Sequence, residues 1–259
     1  MKISEINPFT IRKLSAKVEA RIAQQAAQRL IIHPDTDLVG RHLSCASTFC
    51  RAVVGMGYLT QQQMMRAARR YRLGMSRDGG VIFWQIGATG RIYDGKIMYY
   101  RTDCHRDHNQ SPTWVMSRLK AFYLDGYPEL AAELQPVHCL FGRHLVDDHS
   151  PVAVVEAEKT AVIMSELYPH YLWLATGGLN ELTPEKLFGL KGHRIILFPD
   201  TDEHRQAYTT WYKVSREAEF MLGHPIHLSN LLEQRATDDQ KRRKIDLVDY
   251  YFEQLASEP

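Results

Sequence analysis

The stretch VAVVEAEKT at residues 152–160 decides the fold of this chain. Its first four residues are apolar and mostly β-branched, as in a strand that is buried on both faces of a parallel sheet. Glu156 follows this strand directly, and a helix is predicted over residues 161–167. A buried strand that leads into a helix is the unit from which α/β proteins are built.

The same alternation continues towards the end of the chain. Further strands are predicted over residues 171–175, 194–198 and 225–228, and helices over residues 184–190, 204–222 and beyond residue 249. Strands that alternate with helices form a doubly wound parallel sheet. The fold class predicted for residues 151–259 is therefore α/β, with a parallel sheet and flanking helices.

The residues before this sheet follow a different pattern. A β hairpin is predicted from strands at 81–86 and 91–100, and residues 101–111 are predicted to be a polar, exposed loop. Helices are predicted over residues 11–31, 37–54, 60–71, 112–123 and 130–134. We therefore predict an α+β lobe over residues 1–150, which ends at the polar junction 147–151.

The charges divide along the same boundary. The chain has 259 residues and a formal net charge of +2, with 44% hydrophobic residues, which excludes histone-like and disordered proteins. Residues 1–150 contain 20 Lys and Arg against 13 Asp and Glu, a net charge of +7. Residues 151–259 contain 12 against 17, a net charge of −5. A basic lobe beside an acidic one indicates a polyanionic partner and a carboxylate site.

The sequence shows neither a targeting signal nor a cysteine motif of a disulfide framework or a zinc module. No stretch approaches the ~20 apolar residues of a membrane span, and the first residues lack a signal-peptide core, so a cytoplasmic protein is predicted. The four cysteines form no paired motif with the spacing of zinc modules. Reduced thiols are favoured over a metal site, although histidines lie near three of them, at Cys45, Cys50 and Cys104.

Acidic residues follow two of the predicted strands. Glu156 comes directly after the first strand, and Asp200 and Asp202 come after the third. Ligands of such sheets bind beyond the carboxyl ends of the strands. Since Mg²⁺ prefers a few carboxylates together with water and phosphate oxygens, this pattern favours a divalent metal site.

Residues 152–202 resemble the TOPRIM domain of bacterial DnaG-type primases, topoisomerases and OLD-type nucleases. The shared pattern is a strand, a Glu, a helix, a strand followed by Gly, and a strand followed by Asp-x-Asp. The segment from Asp246 to Tyr250 is similar to the D-x-x-D-Y segment of primases, and the hairpin resembles that of their amino-terminal lobe. Four further motifs are Phe83-Trp84-Gln85, Gly95-Lys96-Ile97-Met98, Leu140-Phe141-Gly142 and Glu156-x-Glu158-Lys159-Thr160-Ala161. In these the chain resembles an uncharacterised TOPRIM-like family of Bacteroides-type genomes and mobile elements, and the resemblance covers about residues 70–255.

The resemblance implies metal-dependent phosphoryl transfer. Glu156, Asp200 and Asp202 would be catalytic, and with Asp246 they would hold Mg²⁺ or Mn²⁺. Basic residues would contact single-stranded nucleic acid: Arg66, Arg69, Arg70, Lys96, Arg101 and Lys159. A solvated helix face is the alternative for the arginines of residues 60–71, and a buried ion pair is the alternative for Lys159.

Three functions remain open at this point. The first is a primase-like nucleotidyltransferase, which the Glu and the Asp-x-Asp favour and whose partners would include a helicase or mobile-element replication proteins. The second is a non-catalytic, primase-derived nucleic-acid-binding module, which is favoured because the zinc-module motif of primases is not seen. The third is a TOPRIM nuclease.

Overall fold

A computed structural model of the protein describes residues 36–123 and 137–257. The helices in these ranges are α1 (Thr36–His42), α2 (Thr48–Gly55), α3 (Gln61–Arg70), α4 (Val115–Tyr123), α5 (Glu158–Leu167), α6 (Pro184–Phe188), α7 (Gln206–Leu222), α8 (Leu231–Arg235), α9 (Asp238–Arg243) and α10 (Leu247–Ser257). The strands are β1 (Gly74–Met75), β2 (Val81–Ile86), β3 (Ile92–Met98), β4 (Thr113–Trp114), β5 (Val152–Val155), β6 (Leu172–Ala175), β7 (Ile195–Phe198) and β8 (His227–Leu228). The helices predicted over 11–31 and 130–134 lie outside the described residues.

The amino-terminal half contains a four-stranded antiparallel sheet in the order β1-β2-β3-β4. The predicted hairpin is confirmed, with Trp84 of β2 opposite Gly95 of β3. A Cβ atom at Gly95 would lie 2.8 Å from the Trp84 ring, so this close pairing requires glycine. Helix α3 begins with a capping box, in which the side chains of Thr60 and Gln63 each accept the backbone N–H of the other residue.

The single helix predicted over residues 37–54 is wrong, because the structure has two helices, α1 and α2, at this place. The backbone between them pairs with the start of the antiparallel sheet. Leu43 forms an antiparallel bridge with Gly74, and the Ser44 N–H donates to the Leu73 oxygen at 3.0 Å. Ser47 then caps α2 by accepting the N–H of Cys50. Tertiary pairing therefore overrides a continuous helical pattern.

The carboxy-terminal half contains a parallel sheet in the order β6-β5-β7-β8, which confirms the predicted α/β class. Strand β5 lies between β6 and β7, with Val155 opposite both Ala175 and Phe198. Phe141 forms an antiparallel bridge with Ala175 at the outer side of β6, through N–H···O bonds of 2.9 and 3.1 Å. Because β5 and β7 pair in parallel, with Val155 opposite Phe198, their carboxyl ends lie side by side.

Two buried clusters cover the two faces of this sheet. Val152 and Val154 of β5 belong to one cluster, together with Trp211 of α7. Ala153 and Val155 belong to the other, which also contains residues of α5 and of the amino-terminal half. The two halves thus share buried contacts, and the domain division at residue 150 stays a prediction. Among the described helices, none has the length and apolar character needed to cross a membrane.

Candidate functional site

Glu156 and Asp200 meet where strands β5 and β7 end. Glu156 is the first residue after β5, and Asp200 is the second residue after β7. The Glu156 Oε1 atom accepts a hydrogen bond from the backbone N–H of Asp200 at 3.3 Å. The fold therefore brings two carboxylates, separated by 44 residues in sequence, to one point of the sheet edge; we call them the carboxylate pair.

Both members of the carboxylate pair have raised pKa values. Burial raises the pKa of Glu156 to about 7, and the nearby Asp202 and Asp246 add to this effect, although the Asp200 N–H opposes it. Burial and the neighbouring Glu156 raise the pKa of Asp200 well above its ordinary value. Two carboxyl groups that share a poorly solvated site resist double ionisation. The pair can therefore be stabilised by a proton or by a cation.

Asp202 is placed differently from the carboxylate pair. Its Oδ1 atom accepts the N–H groups of His204 and Gln206 at 2.9 and 3.0 Å, and its Oδ2 atom accepts that of Ala207 at 2.9 Å. These three bonds lower the pKa of Asp202, despite its burial. The carboxylate thus caps the first turn of α7, where it also faces the positive end of the helix.

Asp246 belongs to a second acidic group, which includes a lysine. The Lys159 Nζ atom lies 3.0 Å from Asp246 Oδ2 and 3.3 Å from Asp249 Oδ1. Thr160 donates its hydroxyl to Asp246 at 2.7 Å, and the N–H groups of Val248 and Asp249 donate to Asp246 Oδ1. We call Lys159, Thr160, Asp246 and Asp249 the lysine cluster.

Electrostatics in the lysine cluster favour the charged forms of Lys159 and Asp246, whereas burial and the charge of Asp246 raise the pKa of Asp249. The pKa of Asp246 is lowered, because the charge of Lys159 and several hydrogen bonds outweigh burial. The pKa of Lys159 is raised well above its ordinary value, because Asp246 and Asp249 outweigh burial. Lys159 therefore forms the buried ion pair that was the alternative to a phosphate contact.

The four-carboxylate metal set predicted from sequence is not assembled in the structure. Among residues 36–123 and 137–257, no three His, Cys, Asp or Glu side chains are grouped so that they could hold a metal ion. Asp202 is occupied by the helix cap and Asp246 by the lysine cluster, which leaves Glu156 and Asp200 as the available carboxylates. The catalytic roles of Glu156, Asp200 and Asp202 stay predictions.

Most of the basic residues predicted to bind nucleic acid have acidic partners within the chain. Arg66 and Arg70 of α3 both contact the buried Glu166 carboxylate of α5, at 2.8 and 3.1 Å. Lys96 contacts Glu158 at 3.2 Å and donates to the Gly177 oxygen at 2.7 Å.

The remaining two basic residues are exposed. Arg101 pairs with Asp103 at 2.6 Å, and Arg69 lies at the exposed end of α3. As for the cysteines, all four are free thiols, and two of them are buried. Nucleic-acid contacts by the basic residues stay predictions.

Sequence reasoning missed the partners that hold these groups in place. Thr160, Asp249 and Glu158 had no assigned role, although each lies next to a residue that was singled out. The available signal was the start of two helices, because Asp202 and Asp246 precede α7 and α10 by a few residues. Acidic residues at such positions favour caps.

Comparisons with known proteins give one family and two solved structures of interest. The model of a family described as a domain of unknown function (DUF6371) matches residues 48–201. No curated protein matches the chain. The primase fragment of the bacteriophage T7 primase-helicase protein is similar, with a TM-score of 0.43 and 15% identity, over 67% of this chain and 66% of that one.

A second similar structure comes from the same phage. It is a complex in which the bacteriophage T7 lagging-strand DNA polymerase interacts with primase domains bound to an RNA/DNA hybrid and dTTP. The TM-score is 0.41 and the identity 16%, over 68% of this chain and 82% of that one. For the T7 primase fragment described above, the match spans about two thirds of the fragment's length.

Proposed function

This chain belongs to the family described as a domain of unknown function (DUF6371), and we propose that it is a TOPRIM nucleic-acid protein of the primase type. Its reaction would be metal-dependent nucleotidyl transfer on single-stranded DNA. The observation that carries this proposal is the carboxylate pair, because Glu156 and Asp200 meet at the end of two adjacent parallel strands with raised pKa values. Groups of this kind cluster at functional sites.

The carboxylate pair fits a magnesium or manganese ion. Mg²⁺ is commonly bound through one or two carboxylates and keeps water and substrate phosphates as its other ligands. Glu156 and Asp200 would hold the ion, which would stabilise charge on the phosphate oxygens during transfer. In its absence, a proton on Glu156 relieves the repulsion, so metal and protons compete for the pair.

The protein side of the reaction follows from the bonds already described. The Asp200 N–H holds Oε1 of Glu156, so Oε2 is the atom at which a proton is gained or lost. A pKa of about 7 suits a group that exchanges a proton near neutral pH. Asp202 fixes the start of α7, and thereby the loop that carries Asp200.

The partners proposed here come from the sequence resemblance, and the location comes from the lack of any apolar stretch long enough to span a membrane. We propose single-stranded nucleic acid as the substrate, and a helicase or mobile-element replication proteins as partners in the cytoplasm. A non-catalytic binding module is the second candidate, and it is favoured by the finding that no three potential metal-ligand side chains converge among the described residues.

Primer synthesis by the full chain tests the proposal. Single-stranded templates and labelled nucleotides are incubated with Mg²⁺ or Mn²⁺, and products are separated on a gel. We expect products from the wild type and from Glu203→Gln, an exposed neighbour. Glu156→Gln and Asp200→Asn should each reduce synthesis by about 100-fold or more, because stabilisation by the metal is worth several kcal/mol.

Three other outcomes of these experiments would argue against a primase or for a different function. The absence of products with any template would contradict the primase proposal. Nicking of a plasmid in Mn²⁺ that is lost in Glu156→Gln would indicate a nuclease. Salt-dependent binding of single strands that persists unchanged in both variants, without synthesis, would indicate the binding module.

A further inference from the structure

A cavity of about 440 Å³ lies against the parallel sheet, beside helices α5 and α10. Its lining is separate from the carboxylate pair and contains six aromatic residues: Tyr168, Tyr171, Trp173, Phe198, Tyr250 and Tyr251. Among the described residues, no Asp, Glu, Lys or Arg lines it. This volume falls in the range of small-molecule sites, which are about 300–1,000 Å³.

The cavity has a rigid floor and an open rim. Trp173 is 2% exposed, and its ring lies 5.6 Å from that of Phe198. Its Nε1–H donates to the backbone oxygen of Tyr168 at 3.0 Å. At the rim, Tyr168 and Leu255 are 38% and 48% exposed. The Tyr168 ring meets that of Tyr251 edge to face at 5.9 Å. A flat ligand can therefore enter from solvent and meet aromatic surfaces inside.

We propose that this cavity binds the ring of a nucleobase. Aromatic walls favour a planar ring, because stacking and edge-to-face contacts add to the burial of apolar area. The lack of charged side chains favours an uncharged group, so any phosphate attached to the ring stays outside. The tyrosine hydroxyls, His170 and Gln254 provide donors and acceptors for the polar edge of a base.

The cavity is built from the same segments as the acidic groups. Phe198 precedes Asp200 by two residues, and Leu247 and Tyr250 directly follow Asp246 and Asp249. The binding of a base here goes beyond the proposed nucleotidyl transfer and does not depend on it. The base can belong to a free nucleoside or to a nucleic-acid strand, and both present the same ring.

Tryptophan fluorescence of the full chain tests this site directly, in the presence of EDTA so that no metal-dependent reaction contributes. The probes are adenosine, cytidine, a single-stranded oligonucleotide and the same oligonucleotide without bases. We expect saturable quenching by the free nucleosides or by the intact oligonucleotide, and none by the abasic strand. Quenching by the oligonucleotide alone would identify a strand as the source of the base. Trp173→Phe should remove the signal, since the other three tryptophans lie outside the cavity.

Substitutions at the exposed rim show whether the aromatic rings contact the ligand, because they are not expected to disturb folding. Tyr168→Ala should weaken binding about tenfold, because the base loses one aromatic side chain on which it stacks. Tyr168→Phe keeps the ring and should retain more of the binding than Tyr168→Ala does. Tyr212→Ala, a matched loss of an exposed tyrosine on α7, should bind as the wild type does.

Three results would overturn the proposal. They are the absence of saturable quenching by any base-containing probe, quenching that persists in Trp173→Phe, and tighter binding of n-octanol than of the nucleosides, which would indicate an aliphatic ligand. Glu156→Gln should bind the nucleosides normally, so a failure of nucleotidyl transfer leaves this result intact.

Discussion

The carboxylate pair and the lysine cluster are two acidic groups at the same end of the sheet, and they solve the problem of buried charge differently. In the lysine cluster, the Nζ atom of Lys159 lies within 3.3 Å of two carboxylates, and the backbone of α10 donates to Asp246. The carboxylate pair is held by the Asp200 N–H, and the pKa values of both its members are raised.

The difference in partners and pKa values distinguishes acids with a structural role from acids that can bind a ligand. Buried carboxylates that have a cation and helix N–H groups have their charge neutralised within the fold. Carboxylates whose pKa values are raised by burial and by nearby acids favour a ligand of positive charge.

Removal of the cation should damage the lysine cluster most. In Lys159→Met, the buried Asp246 and the half-buried Asp249 lose their ion-pair partner, so we expect the free energy of unfolding to fall by about 3–5 kcal/mol. Chemical denaturation at pH 7 measures this. Lys213→Met removes an exposed lysine of α7 and should change stability by less than about 0.5 kcal/mol. Equal effects of the two substitutions would show that the cluster is not structural.

Glu156 should make the protein less stable as pH rises, whereas an acid in an ion pair makes a protein more stable as pH rises. The pKa of Glu156 rises from 4.5 to about 7 on folding, so between these values the native state holds a proton that the unfolded state has lost. Stability should therefore decline as pH rises through this window, and Glu156 alone should contribute about 3 kcal/mol to the decline.

Glu156→Gln provides the control for this pH dependence, because the amide does not titrate. Denaturation of both proteins in EDTA between pH 5 and 8 gives the difference that belongs to Glu156. The decline should be smaller in the variant, and Mg²⁺ should restore stability to the wild type above pH 7. Parallel pH profiles for the two proteins would contradict a raised pKa at this residue.

Asp202 tests whether the second residue of the Asp-x-Asp motif belongs with the structural acids. Asp202→Ala removes three hydrogen bonds from the start of α7, so a loss of about 1 kcal/mol in unfolding free energy is expected. Asp202→Asn should recover part of it, since asparagine is also a good cap. An unchanged stability of Asp202→Ala, together with loss of Mg²⁺ binding, would move Asp202 to the functional side.

The contact between α3 and α5 should give the smallest effect. Arg66→Ala leaves Arg70 in contact with the Glu166 carboxylate, and Arg66 is exposed, so a loss of less than about 1 kcal/mol is expected. The double variant Arg66→Ala, Arg70→Ala should lose more than the sum of the single variants, because Glu166 is then buried without a cation. Additive losses in denaturation would argue against this coupling.

The parallel sheet could be predicted because its strands are continuous apolar runs, and the positions of Glu156 and Asp200 follow from the ends of those strands. The break between α1 and α2 could not, since it depends on pairing of residues 43 and 44 with a distant segment. Likewise, the sequence places Asp202 and Asp246 near the site but does not show that their oxygens turn towards helix N–H groups. Local pattern predicts elements, whereas the direction of a side chain depends on its three-dimensional neighbours.

The bridge between Phe141 and Ala175 has a consequence for the association of this chain with others. Strand β6 lies at the margin of the parallel sheet, where open N–H and C=O groups would attract a further strand from another molecule. Phe141 already occupies these groups at Ala175, and the opposite margin, β8, has only two residues. Both margins therefore discourage the edge-to-edge growth that leads to aggregation, and a partner that docks by strand addition would first have to displace the segment around Phe141.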